Sequence, residues 1–172
     1  MFKVKPKNQT IQTFLDNERY KKCQNIKINW LLYSSNKEIF IFKNESLQKR
    51  FKKKMFNESA NIHIKSTVRG SLIKNYWSRW ENSHSSIDTF KPCSSSGKRV
   101  GGKTAFVNPP DYKYAFLKHY YSKSFEEFCL KLKRGWPDST NKTKWINNLL
   151  NDNKHSKKKL KIIKEILNLT LT

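Results

Sequence analysis

Residues 122–137 read SKSFEEFCLKLKRGWP, and no other stretch restricts the fold of the chain so tightly. Ser124 and Glu127 have the S-x-x-E spacing of a capping box, in which serine and glutamate each accept an N–H of the first turn. Gly135 and Pro137 form the matching stop. Together they predict a helix over 125–134. Directly before it, YKYAFLKHYY (112–121) is an apolar-rich strand. A strand that runs into a capped helix within a few residues is an α/β arrangement, and it excludes an all-helical or all-strand chain.

The remaining elements fit that class. TIQTFLDNERYKKC carries Ile11, Phe14 and Leu15 at helical spacing behind Thr10, which predicts a short helix. NIKINWLLYSS alternates Ile26, Ile28 and Trp30 and then becomes wholly apolar, as a core strand does. EIFIF at 38–42 reads as its hairpin partner across SSNK, and IHIKSTV at 62–68 as a further strand. SLQKRFKKKMF places Leu47, Phe51 and Met55 one turn apart, the pattern of a basic amphipathic helix. KPCSSSGKRVGGKTAFVNPPD concentrates Ser, Gly and Pro and is the one long loop. Two helices close the chain, STNKTKWINNLLNDN and SKKKLKIIKEILNLTL. The second has Leu160, Ile163 and Leu167 on its apolar side and lysines opposing its dipole, so it is expected to fray unless docked. The expected architecture is a short mixed sheet with flanking helices and a C-terminal helical tail, divided as 1–138 and 139–172.

Composition sets the function classes. The chain has 172 residues and 23 aromatic ones, five of them tryptophan, too many for a disordered chain despite a mean hydropathy of −0.83. Its net charge of +23 points to an anionic partner. The cations are 30 Lys against 6 Arg, whereas phosphate and base recognition favours the guanidinium fork. An excess of Asn and Ile over Ala, Gly and Pro suggests A/T-rich codons as one source of the lysines. Cys23, Cys93 and Cys129 give no CxxC pair, leaving either one disulfide with a spare thiol or three buried thiols. Five N-x-S/T sequons, beginning at Asn8, Asn44, Asn57, Asn141 and Asn168, do not decide for secretion in so Asn-rich a chain. No 18-residue apolar run or signal-peptide core is present. Location is left open: Golgi or membrane-associated with an upstream anchor, otherwise cytoplasmic.

Chemistry-bearing residues gather at 118–124. A strand end before a helix start offers unpaired backbone N–H groups to an anion, with Lys118 and Lys123 adding charge. His119 is a neutral metal ligand, and Tyr120 and Tyr121 supply hydroxyls or a stacking face. The same residues also suit a hydrogen-bonded core histidine with solvated lysines. Glu81, Asp88 and Asp111 are candidate general bases or salt-bridge partners. VGGKT lacks the first glycine of a P-loop.

FLKHYYSKSFEEFCLKLKRG resembles the closing motif of family-92-type glycosyltransferases (formerly domain of unknown function 23) and their relatives. There a His-Tyr pair, a Lys-Ser pair, a Phe and a terminal Arg-Gly or Lys-Gly recur in this order. NIKINWLLYSSN, LQKRF and HIKSTVRG resemble further segments, so the likeness covers about residues 10–136. It implies a partial glycosyltransferase A-type fold, a nucleotide-sugar donor, a glycan or protein acceptor, and manganese or magnesium. His119 would be the metal or diphosphate ligand, and Lys123, Lys118 and Ser124 diphosphate contacts. His84 and Trp80 would lie on the acceptor side, with Trp77 and Trp136 as further candidates for stacking on sugar. The chain holds no Asp-x-Asp, so the likeness is to the C-terminal, acceptor-side half and implies a missing N-terminal catalytic half. A non-catalytic remnant is the bland version of this reading. The competing class is a basic module for nucleic acid or an anionic surface, acting through Lys52–Lys54 and Lys157–Lys159.

Overall fold

The computed structural model describes residues 2–4, 10–35, 37–41, 44–72, 90–101, 104–121, 123–134 and 157–167. The chain is a mixed α/β protein that forms two compact units. One comprises Met1–Leu32 with Lys54–His119, the other Tyr33–Lys53 with Tyr120–Thr172.

The first unit is organised by strand β2, Asn25–Tyr33. Among the described residues six strands form a mixed sheet: β1 (Phe2–Val4), β2, β3 (Lys54–Met55), β4 (Ile64–Val68), β5 (Pro92–Cys93) and β6 (Ala115–His119). The first half of β2 pairs antiparallel with β4, Asn25 opposite Val68 through Asn29 opposite Ile64, and parallel with β5. Its second half pairs parallel with β6, Trp30 opposite Leu117 and Leu32 opposite His119. Strand β1 adds to β6 antiparallel, and β3 lies along β2.

One face of β2 is the apolar core. Ile26 and Ile28 pack with Phe14, Tyr20, Cys23, Cys93 and Ala115. Phe14 comes from α1 (Ile11–Leu15), whose first turn is capped by the Thr10 hydroxyl accepting from the Thr13 N–H at 3.1 Å. Tyr20 comes from a 3-10 turn, and its hydroxyl donates to the Ser95 carbonyl. A Cys23–Cys93 disulfide closes this side, and Cys129 remains a buried thiol in the other unit. Of the two readings left open for the cysteines, the structure takes the first.

The opposite face of β2 is polar and equally buried. Asn25, Lys27 and Asn29 are all at 0% exposure. The Lys27 ammonium donates to the Gly101 and Thr104 carbonyls, both at 2.7 Å, and burial lowers its pKa to about 8. The described residues of the loop 94–111 cover it. Asp111 organises that loop, accepting from the Ser94 hydroxyl at 2.5 Å and the Ser96 N–H at 2.9 Å. Gly97 reverses the chain there with φ of 81°, and a Cβ would stand 2.9 Å from the Arg19 carbonyl.

In the second unit the capping box forms as expected. Helix α3 spans Phe125–Arg134, and the Glu127 N–H donates to the Ser124 hydroxyl at 3.2 Å while Glu127 Oε2 accepts from the Ser124 N–H at 3.1 Å. Two other expectations fail. Residues 38–41 are not a strand: the Glu38 and Ile39 carbonyls accept the Phe125 and Glu126 N–H groups, both at 2.9 Å. This apolar run completes the N-terminus of α3 instead of pairing with β2. The basic helix over 47–55 is a single turn, α2 (Leu47–Arg50), capped by Ser46. Phe51 turns extended to bury its ring at 1% exposure, and Lys54 and Met55 join the sheet. Tertiary burial overrides the local period.

Helix α4, Lys157–Leu167, packs on α3. Ile162 and Ile163 are buried with Cys129 in one cluster, against which Ile39, Phe125 and Ile166 pack. The buried side therefore runs through Ile162 and Ile163, while Leu160 is 37% exposed. The dipole conflict of its N-terminal lysines is offset by docking, partly through Lys159, whose ammonium lies 5.0 Å from the Phe125 ring centroid. The helix expected over 139–153 lies outside the described residues, as do Asn8, Asn141 and Asn168 of the sequons.

Because Ile163 is fully buried, Ile163→Ala should cost about 2–5 kcal/mol in denaturant unfolding. Deleting 154–172 should uncover Cys129 to a thiol reagent that does not reach it in the intact chain. An unreactive Cys129 after deletion would show that α4 does not cover it.

Candidate anion-binding site

The second unit carries a cleft of about 460 Å³ lined by Tyr120, Tyr121, Lys123, Glu127, Lys131 and Arg134, among others. Its walls follow from the helix start. Lys123 sits in the left-handed region with φ of 55°, a conformation costing a side-chain-bearing residue roughly 1–2 kcal/mol. That turn delivers Ser124 to the cap and leaves Lys123 beside the helix. Glu127, Lys131 and Arg134 then recur at i, i+4 and i+7, one stripe of α3.

Positive charge is concentrated in this cleft. The Lys131 ammonium lies 4.4 Å from the Tyr121 ring centroid, a cation–π contact. Burial lowers the Lys131 pKa, and the charges of Arg134 and Lys123 lower it further. Like charges held this close favour an anion between them. Glu127 offsets part of this, its Oε1 forming an ion pair with Lys123 at 3.8 Å while its Oε2 accepts from Arg50 and Ser124. Tyr120 packs its ring near Tyr33 and Phe51, at 5.2 and 6.1 Å. Its hydroxyl is buried and has no hydrogen-bond partner among the described residues, the kind of polar atom that a ligand satisfies.

Beneath the cleft lies Arg50, 6% exposed. Its Nε and Nη2 donate to Glu38 Oε2 at 3.0 and 2.9 Å, and Nη2 donates to Glu127 Oε2 at 2.7 Å. Burial raises the Glu127 carboxyl, but hydrogen bonds from Arg50 and Ser124 outweigh it and hold the group below the ordinary carboxylate range. Sequence reasoning missed Arg50, Lys131 and Arg134. The i, i+4, i+7 stripe was a readable signal for the last two, whereas Arg50 stood only within LQKRF, with no role attached to it.

The expected clamp at 118–124 does not form as drawn. The N–H groups of the first helical turn are not available to a ligand: Phe125 and Glu126 donate to the Glu38 and Ile39 carbonyls, and Glu127 to Ser124. Ser124 itself is fully buried, its hydroxyl donating to Glu127 Oε2 at 2.9 Å, so it holds the helix rather than a diphosphate. Lys123 does line the cleft. His119 and Lys118 belong to the first unit, on β6. There His119 stacks on Trp30 with centroids 3.9 Å apart and planes 7° apart, and His63 stacks on Trp30 at 4.9 Å. Trp30 thus lies against two imidazoles, an aromatic contact the sequence did not announce. Among the described residues no three His, Cys, Asp or Glu side chains come together as metal ligands. Lys118 lies near Lys3 and Lys54, whose charges add to burial in lowering its pKa.

Asp111 does not suit a general base. Burial raises its pKa, but hydrogen bonds from Ser94, Ser96 and Lys113 bring it to about 2, where a carboxylate takes up protons poorly at neutral pH. His84, Trp80, Trp77, Trp136, Glu81 and Asp88 lie outside the described residues. Comparison of the chain with protein-family models, curated proteins and solved structures finds no match.

The Arg50 pair gives the second unit an acid sensitivity. Glu127 is depressed in the folded state, so its contribution is present above about pH 4.5 and is lost as pH falls through its folded value. Arg50→Met should abolish this part of the pH dependence and cost about 3–5 kcal/mol at pH 7, since two carboxylates lose their buried partner. Unfolding in urea at pH 7 and pH 3 for both proteins checks it. An unchanged pH slope would show that Glu127 is not held by Arg50.

Proposed function

We propose that the chain is a glycosyltransferase-like, acceptor-side module that takes the diphosphate of a nucleotide sugar in the cleft of Tyr121, Lys123, Lys131 and Arg134. The observation that carries this reading is the convergence of three cations on one cleft beside the buried Tyr120 hydroxyl. The resemblance of residues 116–135 supplies the ligand class. Burial is the larger cause of the lowered Lys131, and phosphate oxygens between Lys123, Lys131 and Arg134 would relieve the repulsion that adds to it; Arg134 adds the bidentate fork that the lysines lack. The Tyr120 hydroxyl would donate to the same group. In hexosyl transfer these cations would stabilise the departing diphosphate.

Turnover by this chain alone is not expected, because the sequence has no Asp-x-Asp pair. Calorimetric titration with a uridine diphosphate sugar should show weak binding that Lys131→Gln and Arg134→Gln each reduce by about tenfold. Ser124→Ala should lower stability through the lost cap, yet leave affinity within a factor of two. His119→Ala tests placement of the ligand on β6 instead. If it removes binding while the cleft variants do not, the diphosphate does not lie in the cleft.

The competing reading is nucleic-acid or anionic-surface binding through Lys52–Lys54 and Lys157–Lys159. Lys52, Lys53, Lys54, Lys157 and Lys158 are exposed, whereas Lys159 is half-buried beside Phe125. Solvated lysines without a recognition element attract polyanions unspecifically. A structured nucleic acid and heparin should therefore bind equally weakly, both falling steeply with salt. A selective complex that survives physiological salt would replace the transferase reading.

A further inference from the structure

The side chains of Asn57, Glu58 and Ser59 make no bond inside the fold. All three are exposed, on the turn that follows β3 and opens the 3-10 turn Ser59–Ile62. Among the described residues none of these side chains enters a hydrogen bond or an ion pair, and Glu58 does not cap the turn behind it. Other asparagines are used by the structure. Asn17 accepts the Arg19 N–H and caps a turn, while Asn25, Asn29 and Asn61 are buried, and none of these four begins an N-x-S/T sequence. Asn57-Glu58-Ser59 does, and so has the form of an N-glycosylation acceptor on a surface turn. Asn44-Glu45-Ser46 is also exposed, but its serine already serves the fold by capping α2.

Two further features of the first unit turn this pattern into a site. The Cys23–Cys93 disulfide belongs to the same unit as Asn57, and such a bond forms and persists in an oxidising compartment. Transfer of oligosaccharide to asparagine takes place in the secretory part of the same environment. The second feature is Phe56, which directly precedes Asn57 and is 56% exposed. Its ring is held from one side by the Tyr112 edge at 6.1 Å and by the Lys54 ammonium at 5.9 Å. The exposed remainder is an apolar platform of the kind on which the C–H face of a sugar ring packs.

We infer that Asn57 carries an N-linked oligosaccharide whose first sugar lies on the Phe56 ring. In the transfer the Asn57 Nδ2 bonds to the anomeric carbon of a lipid-diphosphate-linked oligosaccharide. The bond from that carbon to the diphosphate oxygen breaks, the lipid diphosphate leaves, and one amide proton passes to a base of the transferase. Nothing is oxidised or reduced. The inference uses neither the diphosphate cleft nor any residue that lines it.

The test is peptide mass spectrometry on the chain isolated from its own cells, with and without peptide-N-glycosidase treatment in heavy-oxygen water. The peptide bearing Asn57 should appear only after treatment, its asparagine converted to aspartate that carries heavy oxygen. The same peptide at its plain mass without treatment would overturn the inference. Alkylation without reductant should leave Cys23 and Cys93 unlabelled, and labelling of both would remove the compartment on which the inference stands. Thermal unfolding checks the contact with Phe56. Complete release of the glycan should lower Tm by about 2–4 °C, whereas trimming it to the first sugar should not. Phe56→Ala, made in the same cells, should keep Asn57 occupied yet lose the Tm difference between glycosylated and released protein, and Phe56→Leu should lose part of it. An equal difference in wild type and Phe56→Ala would show that the sugar does not rest on the ring. Nucleotide-sugar binding enters none of these measurements, so failure of the cleft and failure of this site are read separately.

Discussion

Asn29 is buried in the middle of β2, and its side-chain amide is satisfied by four backbone groups. Nδ2 donates to the carbonyls of Asn61, Ile62 and Val107 at 3.2, 3.1 and 3.0 Å, and Oδ1 accepts the Asp111 N–H at 3.0 Å. One side chain thus joins the central strand to the segment before β4 and to the loop before β6. Asn61 extends the network, its Oδ1 accepting the Leu32 N–H at 2.9 Å and its Nδ2 donating to the Met55 and Phe56 carbonyls at 2.6 and 3.1 Å. A fully satisfied buried network of this kind specifies a single arrangement, whereas a half-satisfied one would be worse than an apolar core. Lys27 does the same for 101–104 through two carbonyls. The sheet therefore gets its strand order from backbone pairing and its loop positions from amide and ammonium side chains. The site-bearing loops of this unit depend on that second system.

This division of labour explains what the sequence disclosed. Strands β2, β4 and β6 and helices α1, α3 and α4 were readable, because each carries a periodic apolar pattern or a cap that acts locally. The polar face of β2 was not. Asn25, Lys27 and Asn29 alternate with isoleucines as solvent-facing residues would, and only the loop that returns over them buries them. EIFIF misled for the converse reason. Its apolar side chains suggested pairing, but its carbonyls are used to complete α3, and Ile39 packs at the helix interface. Residues 47–55 have a helical period that ends after one turn because burial of Phe51 outweighs propensity. Nothing in two-residue strands such as β5 carries a signal, since their pairing is dictated by neighbours far along the chain.

The candidate site was half legible for a similar reason. Charge and helix capping are local, so Lys123 and Ser124 could be picked out. Their roles could not be assigned, because a helix N-terminus binds an anion only if nothing else has taken its N–H groups. Here the chain supplies its own acceptors at Glu38 and Ile39, more than 80 residues away in sequence. Once the terminus is filled, the positive groups left around the helix start are side chains, Lys123 and the stripe of Lys131 and Arg134. Stacking of His119 on Trp30 likewise depends on β2 and β6 lying side by side in parallel, a tertiary fact.

A net charge of +23 must be offset for either unit to be compact, and the structure does this in three ways. Covalently, the Cys23–Cys93 bond spans 70 residues of sequence, a constraint on the unfolded chain of about 4 kcal/mol in the chain-entropy treatment. Locally, cations are placed against groups that accept them: Lys27 on carbonyls, Arg50 between two carboxylates, and Arg19 at 3.4 Å over the Tyr114 ring. Solvent screening takes care of exposed lysines such as Lys157 and Lys158. Lys131 is likewise placed against a group that accepts it, its ammonium 4.4 Å from the Tyr121 ring centroid, where burial and then the charges of Arg134 and Lys123 lower its pKa. Covalent closure and local pairing thus hold the partly buried cations in place, and the exposed ones are left to solvent.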